Sequence, residues 1–182
     1  MAILDKTKRE PNYFNDINVF GKRGEIDFEN TIVPKLLKKG YKIFDVRNII
    51  YFQHCDIDYV VDKFGRDILN ENYDEVISSK EYVKVEVKCS TVALKTNHIA
   101  YEVVSHASLG WSILTKSDYI YIVFCGEDLE IKKRAWIDMD LWHKFVIDRK
   151  KHKKVNVIKN ESIVDLLCRI DDLKSDNILT FL

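Results

Sequence analysis

The stretch that most constrains this chain is residues 82–88, Tyr-Val-Lys-Val-Glu-Val-Lys. Apolar and charged side chains alternate through it without a break. A period of two marks a β-strand with one face on a core. Val83, Val85 and Val87 take that face, and Lys84, Glu86 and Lys88 take the other. Upstream, residues 56–61 read Asp-Ile-Asp-Tyr-Val-Val, a second strand-like run with Asp56 and Asp58 on one side. If the two runs pair, Asp58, Glu86 and Lys88 meet in one small volume.

The remaining chain supplies partners for these strands. Residues 1–23 are polar and mixed, and an extended arm is expected there. Residues 24–39 place Ile26, Ile32, Val33, Leu36 and Leu37 near one face, which predicts a helix. Pro34 makes that helix start late or kink, and Gly40 stops it. Residues 41–50 are a first strand, and the first three strands form an antiparallel meander, because no packed crossover helix fits between them. A short strand or strand extension follows at 98–104 and a short helix near 108–115. Residues 118–124 are nearly all apolar, as a strand buried in the middle of a sheet would be. An edge strand is expected at 134–138, a helix at 140–149, and an amphipathic helix at 161–173. The stripe of Ile163, Leu166, Leu167 and Ile170 on that last helix suits packing on the body or a homodimer seam. The order predicts an α/β sandwich on a central mixed sheet flanked by helices. Its core spans 24–150, after an arm at 1–23 and before a basic segment and helix at 151–182.

At 182 residues the chain is one domain, and its 46% hydrophobic content supplies a core. The 29 Lys and Arg balance 29 Asp and Glu, so no global basic field marks a nucleic-acid partner. Any such contact must come from a local patch, and the obvious one is Arg149, Lys150, Lys151, Lys153 and Lys154. Four widely spaced cysteines include no C-x-x-C pair and no zinc-like spacing with histidine. The charged start and the lack of a membrane-length apolar run point to a reducing cytoplasm and no membrane partner.

Two carboxylates and an amine on adjacent strands suit a divalent cation and a phosphodiester. The triplets themselves are cheap: Glu130-Ile131-Lys132 repeats the E-x-K, and Asp138-Met139-Asp140 repeats the D-x-D. Context separates the first set. Glu86 and Lys88 lie on a strongly alternating run, Asp58 on the run before it, and a glutamate-bearing helix precedes both.

In these respects the chain resembles the PD-(D/E)xK nuclease superfamily, which includes restriction endonucleases and Holliday-junction resolvases. The matching elements are Glu29 (or Glu25) on the first helix, Asp58 after Cys55-Asp56-Ile57, and Glu86-Val87-Lys88. The segment from Thr96 to Glu102, with Gly110-Trp111 and Ser117-Asp118-Tyr119, is similar to phage and bacterial members. The likeness covers roughly residues 24–126. No proline precedes the key aspartate, where His54-Cys55 stands instead.

The resemblance implies a restriction-endonuclease-like fold and a metal-dependent DNA endonuclease of a bacterial or phage-infected cell. Asp58, Glu86 and the Val87 carbonyl would hold Mg²⁺, with Mn²⁺ as a substitute, through oxygen ligands. Lys88 would orient or help deprotonate the attacking water and stabilise charge on the phosphorane. Glu29 is the first choice for the helix acid, to bind a second metal or a water, with Glu25 as the alternative. The 149–154 run would contact the DNA backbone. A fold that keeps the nuclease frame but only binds nucleic acid or assembles with partners is the other reading.

Overall fold

The computed structural model describes residues 10–66, 68, 72–105, 108–126, 128–148, 156–160 and 163–182. Ten strands and eight helices are assigned among them. Six strands form the central sheet: β1 (Lys42–Asp45), β2 (Tyr59–Asp62), β3 (Tyr82–Ser90), β6 (Tyr119–Cys125), β7 (Ile131–Asp138) and β10 (Leu179–Phe181), side by side in that order. The first three strands are an antiparallel meander. β3 then runs parallel to β6, and β6 pairs antiparallel with β7. The sheet is therefore mixed, as its alternation of long apolar runs and hairpin signals predicts.

A parallel pair needs a crossover. Between β3 and β6 the chain builds α5 (Ala93–Thr96), β4 (His98–Ser105), β5 (Ser108–Leu109) and α6 (Trp111–Leu114). β4 does not extend the central sheet. It belongs to a second sheet of four strands, ordered β5-β4-β9-β8, with β8 at Asn156–Asn160 and β9 at Ile163–Arg169.

The two faces of the central sheet carry different layers. One holds α1 (Glu10–Thr31) and α2 (Val33–Lys38), where Phe28 and Ile32 meet Tyr59, Val61, Val85, Val87, Tyr121 and Val123. The other face carries two apolar clusters. Ile120, Ile122, Phe124 and Ile137 pack against the second sheet and against Trp142 and Phe145 of α7 (Met139–Ile147). Val60 and Tyr82 pack with Phe52 of α3 (Ile50–Gln53) and Val76 of α4 (Tyr73–Ser78). Lys84, Glu86 and Lys88 of β3 belong to neither cluster and mark a polar seam between them. Lys84 and Glu86 are nonetheless buried, so β3 is covered on both faces and not half-exposed as its alternation predicts.

Several elements differ from the sequence reading. Residues 10–31 are one helix, so the boundary expected at 23 does not exist and the described part of the arm, 10–23, is helical. Pro34 has no N–H for the carbonyl one turn back, which ends α1 and opens α2 at its first turn. Gly40 takes a φ of 83° just after α2, as a helix-stopping glycine does. The strand expected at the sheet edge is β7, which is longer and interior, with β10 outside it. The helix expected over 161–173 is instead strand β9 followed by α8 (Ile170–Ser175). Leu166 and Ile170 pack into the body, so no helical dimer seam exists there. No helix among the described residues is long and apolar enough to cross a membrane.

The C-terminal fifth is thus part of both sheets and not an appendage. A chain ending at Asn160 loses β9, α8 and β10, and with them the buried Leu166, Cys168, Ile170, Leu173 and Leu179. Such a truncation should lose its cooperative thermal transition, read by circular dichroism, instead of changing only its association state.

Candidate active site

The site begins where β2 ends before β3 does. Their register runs from Asp62 opposite Tyr82 to Tyr59 opposite Val85. One further backbone bond continues it, from the Asp58 N–H to the Val85 carbonyl at 2.9 Å. The chain then turns off: Asp56 has a φ of 51°, and its carbonyl accepts the Ser117 hydroxyl at 2.6 Å. Val87 is the next β3 residue to face that edge, and it meets a side chain in place of a strand. Its N–H donates to Asp58 Oδ2 at 2.7 Å. The N–H and carbonyl of one strand residue leave by the same edge, so the Val87 carbonyl also points to the Asp58 side.

Glu86 and Lys88 project into the seam. The Lys88 ammonium donates to Glu86 Oε1 and lies 4.9 Å from the Trp111 ring centroid. Burial is the main cause that lifts the Glu86 carboxyl to about 7; the Lys88 charge opposes it and the Asp58 carboxylate adds to it. Burial likewise raises Asp58, against the Val87 N–H and Lys88, which favour its charged form. For Lys88 burial acts downward, but Glu86, Asp56 and Asp58 together outweigh it and hold the ammonium above its ordinary range. Lys88 is therefore a cation at neutral pH, and Glu86 is poised to gain or lose a proton there.

The first helix reaches the site through a glycine. A Cβ on Gly24 would stand 3.1 Å from Val87 Cγ1 and 3.2 Å from the Lys88 carbonyl oxygen. Its absence lets α1 lie directly on β3. Glu25 comes next, and its charge is among those that raise Asp58. Glu29, favoured on spacing, is engaged elsewhere: it accepts from Tyr59 Oη at 2.8 Å and from Arg47 Nη2 at 2.6 Å. Arg47 also pairs with Glu25 and Asp45 and lies over the Tyr59 ring at 5.0 Å. Both helix acids thus pair with Arg47, and of the two only Glu25 is among the charges that act on Asp58.

The other predicted residues are as readily placed. Lys84 shares the face of Glu86 but is structural: its ammonium donates to the Ser79 and Tyr82 carbonyls and pairs with Asp118 at 3.0 Å. Of the repeated triplets, Glu130 and Lys132 pair with each other at the surface, and Asp138 caps α7 by accepting the Leu141 N–H at 2.9 Å. Arg149, Lys150, Lys151, Lys153 and Lys154 lie outside the described residues. Sequence reasoning missed Arg47, which orders both helix acids. Trp111 packs half-buried against the core cluster that holds Tyr101, and its ring also flanks Lys88. Arg47 stood two residues from Asp45 at a strand end, but nothing local tied it to a helix twenty residues upstream.

Among the described residues, no three His, Cys, Asp or Glu side chains are grouped to hold a metal ion. The donor set at the seam is two carboxylates and one backbone carbonyl. That set suits Mg²⁺, which is commonly bound by one or two carboxylates and completes its shell with water and substrate phosphate. The raised Glu86 and Asp58 add to the fit, since a buried and a half-buried carboxylate lie near one ammonium and a further cation would relieve both. Comparison with known proteins finds no matching family model, no matching curated protein and no matching solved structure.

The raised Glu86 gives a pH test. Its folded value of about 7 lies above the ordinary 4.5, so its stabilising contribution is full below 4.5 and is lost as pH rises through 7. A cation bound by the ionised carboxylate reverses that loss. Added Mg²⁺ should therefore raise the melting temperature more at about pH 8 than at about pH 5.5. Thermal unfolding with and without EDTA checks this, and Glu86→Gln should remove the increment.

Proposed function

We propose that this chain is a metal-dependent DNA endonuclease of the PD-(D/E)xK type, built on a restriction-endonuclease-like core. The observation that carries the reading is the convergence of Asp58, Glu86, Val87 and Lys88 at one buried seam, on two strands of unequal length. The antiparallel meander followed by a strand parallel to β3 supports it. So does the first helix packed on β3, whose Glu25 charge is felt at Asp58. Cellular DNA processing in a bacterium or phage-infected host, of a resolvase-like or restriction-like kind, is the corresponding role.

Asp58, Glu86 and the Val87 carbonyl would hold Mg²⁺ (or Mn²⁺), which supplies Lewis acidity at a phosphate oxygen and lowers the pKa of a water. The protein residues do the rest. A cation on Glu86 would compete with the Lys88 ammonium for that carboxylate. Lys88, kept cationic with the help of Asp56, would orient the attacking water and stabilise the negative charge that grows on phosphorus. Glu25 is the helix acid proposed to hold a water or a second cation, in place of Glu29. The seam is partly dry, so each of these charges acts more strongly than it would in water.

Cleavage of labelled junction, flap, duplex and single-stranded DNAs in Mg²⁺, Mn²⁺ and EDTA tests the reading. Cutting should require the metal, and Glu86→Ala and Lys88→Ala should each slow it about 100-fold or more. Lys88→Ala should still bind Mn²⁺, and Asp58→Ala should not. Tight binding of one DNA form without any cutting would instead favour a binding module on the same frame.

The basic run at 149–154 is proposed to meet the phosphate backbone. Replacing Lys153 and Lys154 with alanine should lower the slope of log affinity against log salt by about 2. A fluorescence-anisotropy titration over several salt concentrations measures that slope.

A further inference from the structure

Beside the seam the two sheets do not close on each other. A cavity of about 370 Å³ lies between them. Its wall includes Lys88 of β3, Trp111 of α6, Tyr101 of β4, Ile122 of β6 and Leu167 of β9. Val92, exposed at 62%, is also on its wall, so the cavity reaches the surface. Apart from Lys88 and a few hydroxyl and imidazole groups it is apolar. The volume falls in the range of sites that enclose a small organic molecule.

We propose that this cavity receives a nucleobase of the strand being cut, so that the substrate is DNA with an unpaired or extruded nucleotide at the scissile position. The inference rests on the endonuclease reading. Lys88 belongs both to the cavity wall and to the group that faces the phosphate, so an occupant lies within a nucleotide's reach of the reacting bond. Trp111 offers an aromatic ring at the same point, and base–aromatic stacking tolerates any base. Tyr101, fully buried, contributes a second aromatic ring to the wall, 6.0 Å from Trp111. A base stacked inside a duplex cannot enter a space between two sheets, so the nucleotide must leave its stack first. The seam therefore reads both the phosphate and the unpaired state of its neighbour.

Photo-crosslinking tests this. A single-stranded oligonucleotide carrying one 5-iododeoxyuridine is bound to the full chain in Ca²⁺ and irradiated, and the joined peptide is identified by mass spectrometry. The expected crosslink is at Trp111 or its immediate neighbours on the cavity wall. Leu167→Trp, which fills the cavity from a half-buried position, should lower that yield about tenfold. Trp111→Ala should abolish the crosslink at that position, with the fold of both variants checked by thermal unfolding. Crosslinks confined to other surfaces, or an unchanged yield in folded Leu167→Trp, overturn the cavity proposal while metal-dependent cleavage still stands. If the unsubstituted protein neither binds nor cuts any DNA of the panel, the endonuclease reading falls and the cavity proposal falls with it.

Discussion

Everything around the seam follows from burying the charged face of β3. An ionised side chain taken out of water is costly unless it is paired and hydrogen-bonded. Lys84 meets this with two carbonyls and the Asp118 carboxylate. Lys88 and Glu86 meet it by pairing with each other. The opposite face follows the same rule: buried Asp27 accepts two bonds from Arg134, at 2.8 and 2.9 Å, and one from Tyr121 at 2.6 Å. Lys84 is fully spent on structure. Among the described residues Glu86 and Lys88 pair with one another, with the Asp56 and Asp58 charges close enough to act on Lys88.

The geometry of the site comes from a mismatch in strand length. β2 has four residues and β3 has nine. Over the unmatched part of β3, the edge that faces β2 would carry unpaired backbone groups. The Asp58 side chain reaches back to satisfy one of them. That bond ties the Asp58 carboxylate to β3, and the Ser117 hydroxyl and Lys116 N–H hold the turn before it through the Asp56 and Cys55 carbonyls. The parallel step to β6 then forces a long crossover, and the crossover brings Trp111 and the second sheet over the same face.

How much of this was legible depended on whether a signal was local. The β3 alternation, the apolar run of β6, Pro34 and Gly40 were all readable, because each acts through backbone geometry or period within a few residues. Asp58 with Glu86 and Lys88 was readable because adjacent strands in a meander must lie side by side. The burial of β3 on its second face was not, since that requires knowing that β4 and β9 form another sheet. β9 itself misled: Ile163, Leu166, Leu167 and Ile170 fit a helical stripe, yet tertiary pairing with β4 settled it as a strand. The start of α1 was hidden by its polar composition. The engagement of both Glu25 and Glu29 by Arg47 was equally hidden, because the approach of Arg47 to the helix is a long-range fact.

The pairing of Lys88 with Glu86 is the point at which stability and chemistry compete. In the protein alone, that pair compensates a buried carboxylate, and the compensation is incomplete because Glu86 is still lifted to about 7. In the proposed site a divalent cation would compete with the ammonium for this carboxylate, and would do so better when Glu86 is ionised than when it is protonated. Asp56, which is not one of the proposed ligands, is also among the charges that hold Lys88 cationic. Trp111 stays beneath it as a polarisable face. The same buried environment that makes Glu86 a weak acid on its own would thus make it responsive to a cation in the proposed site, with the Lys88 ammonium beside it.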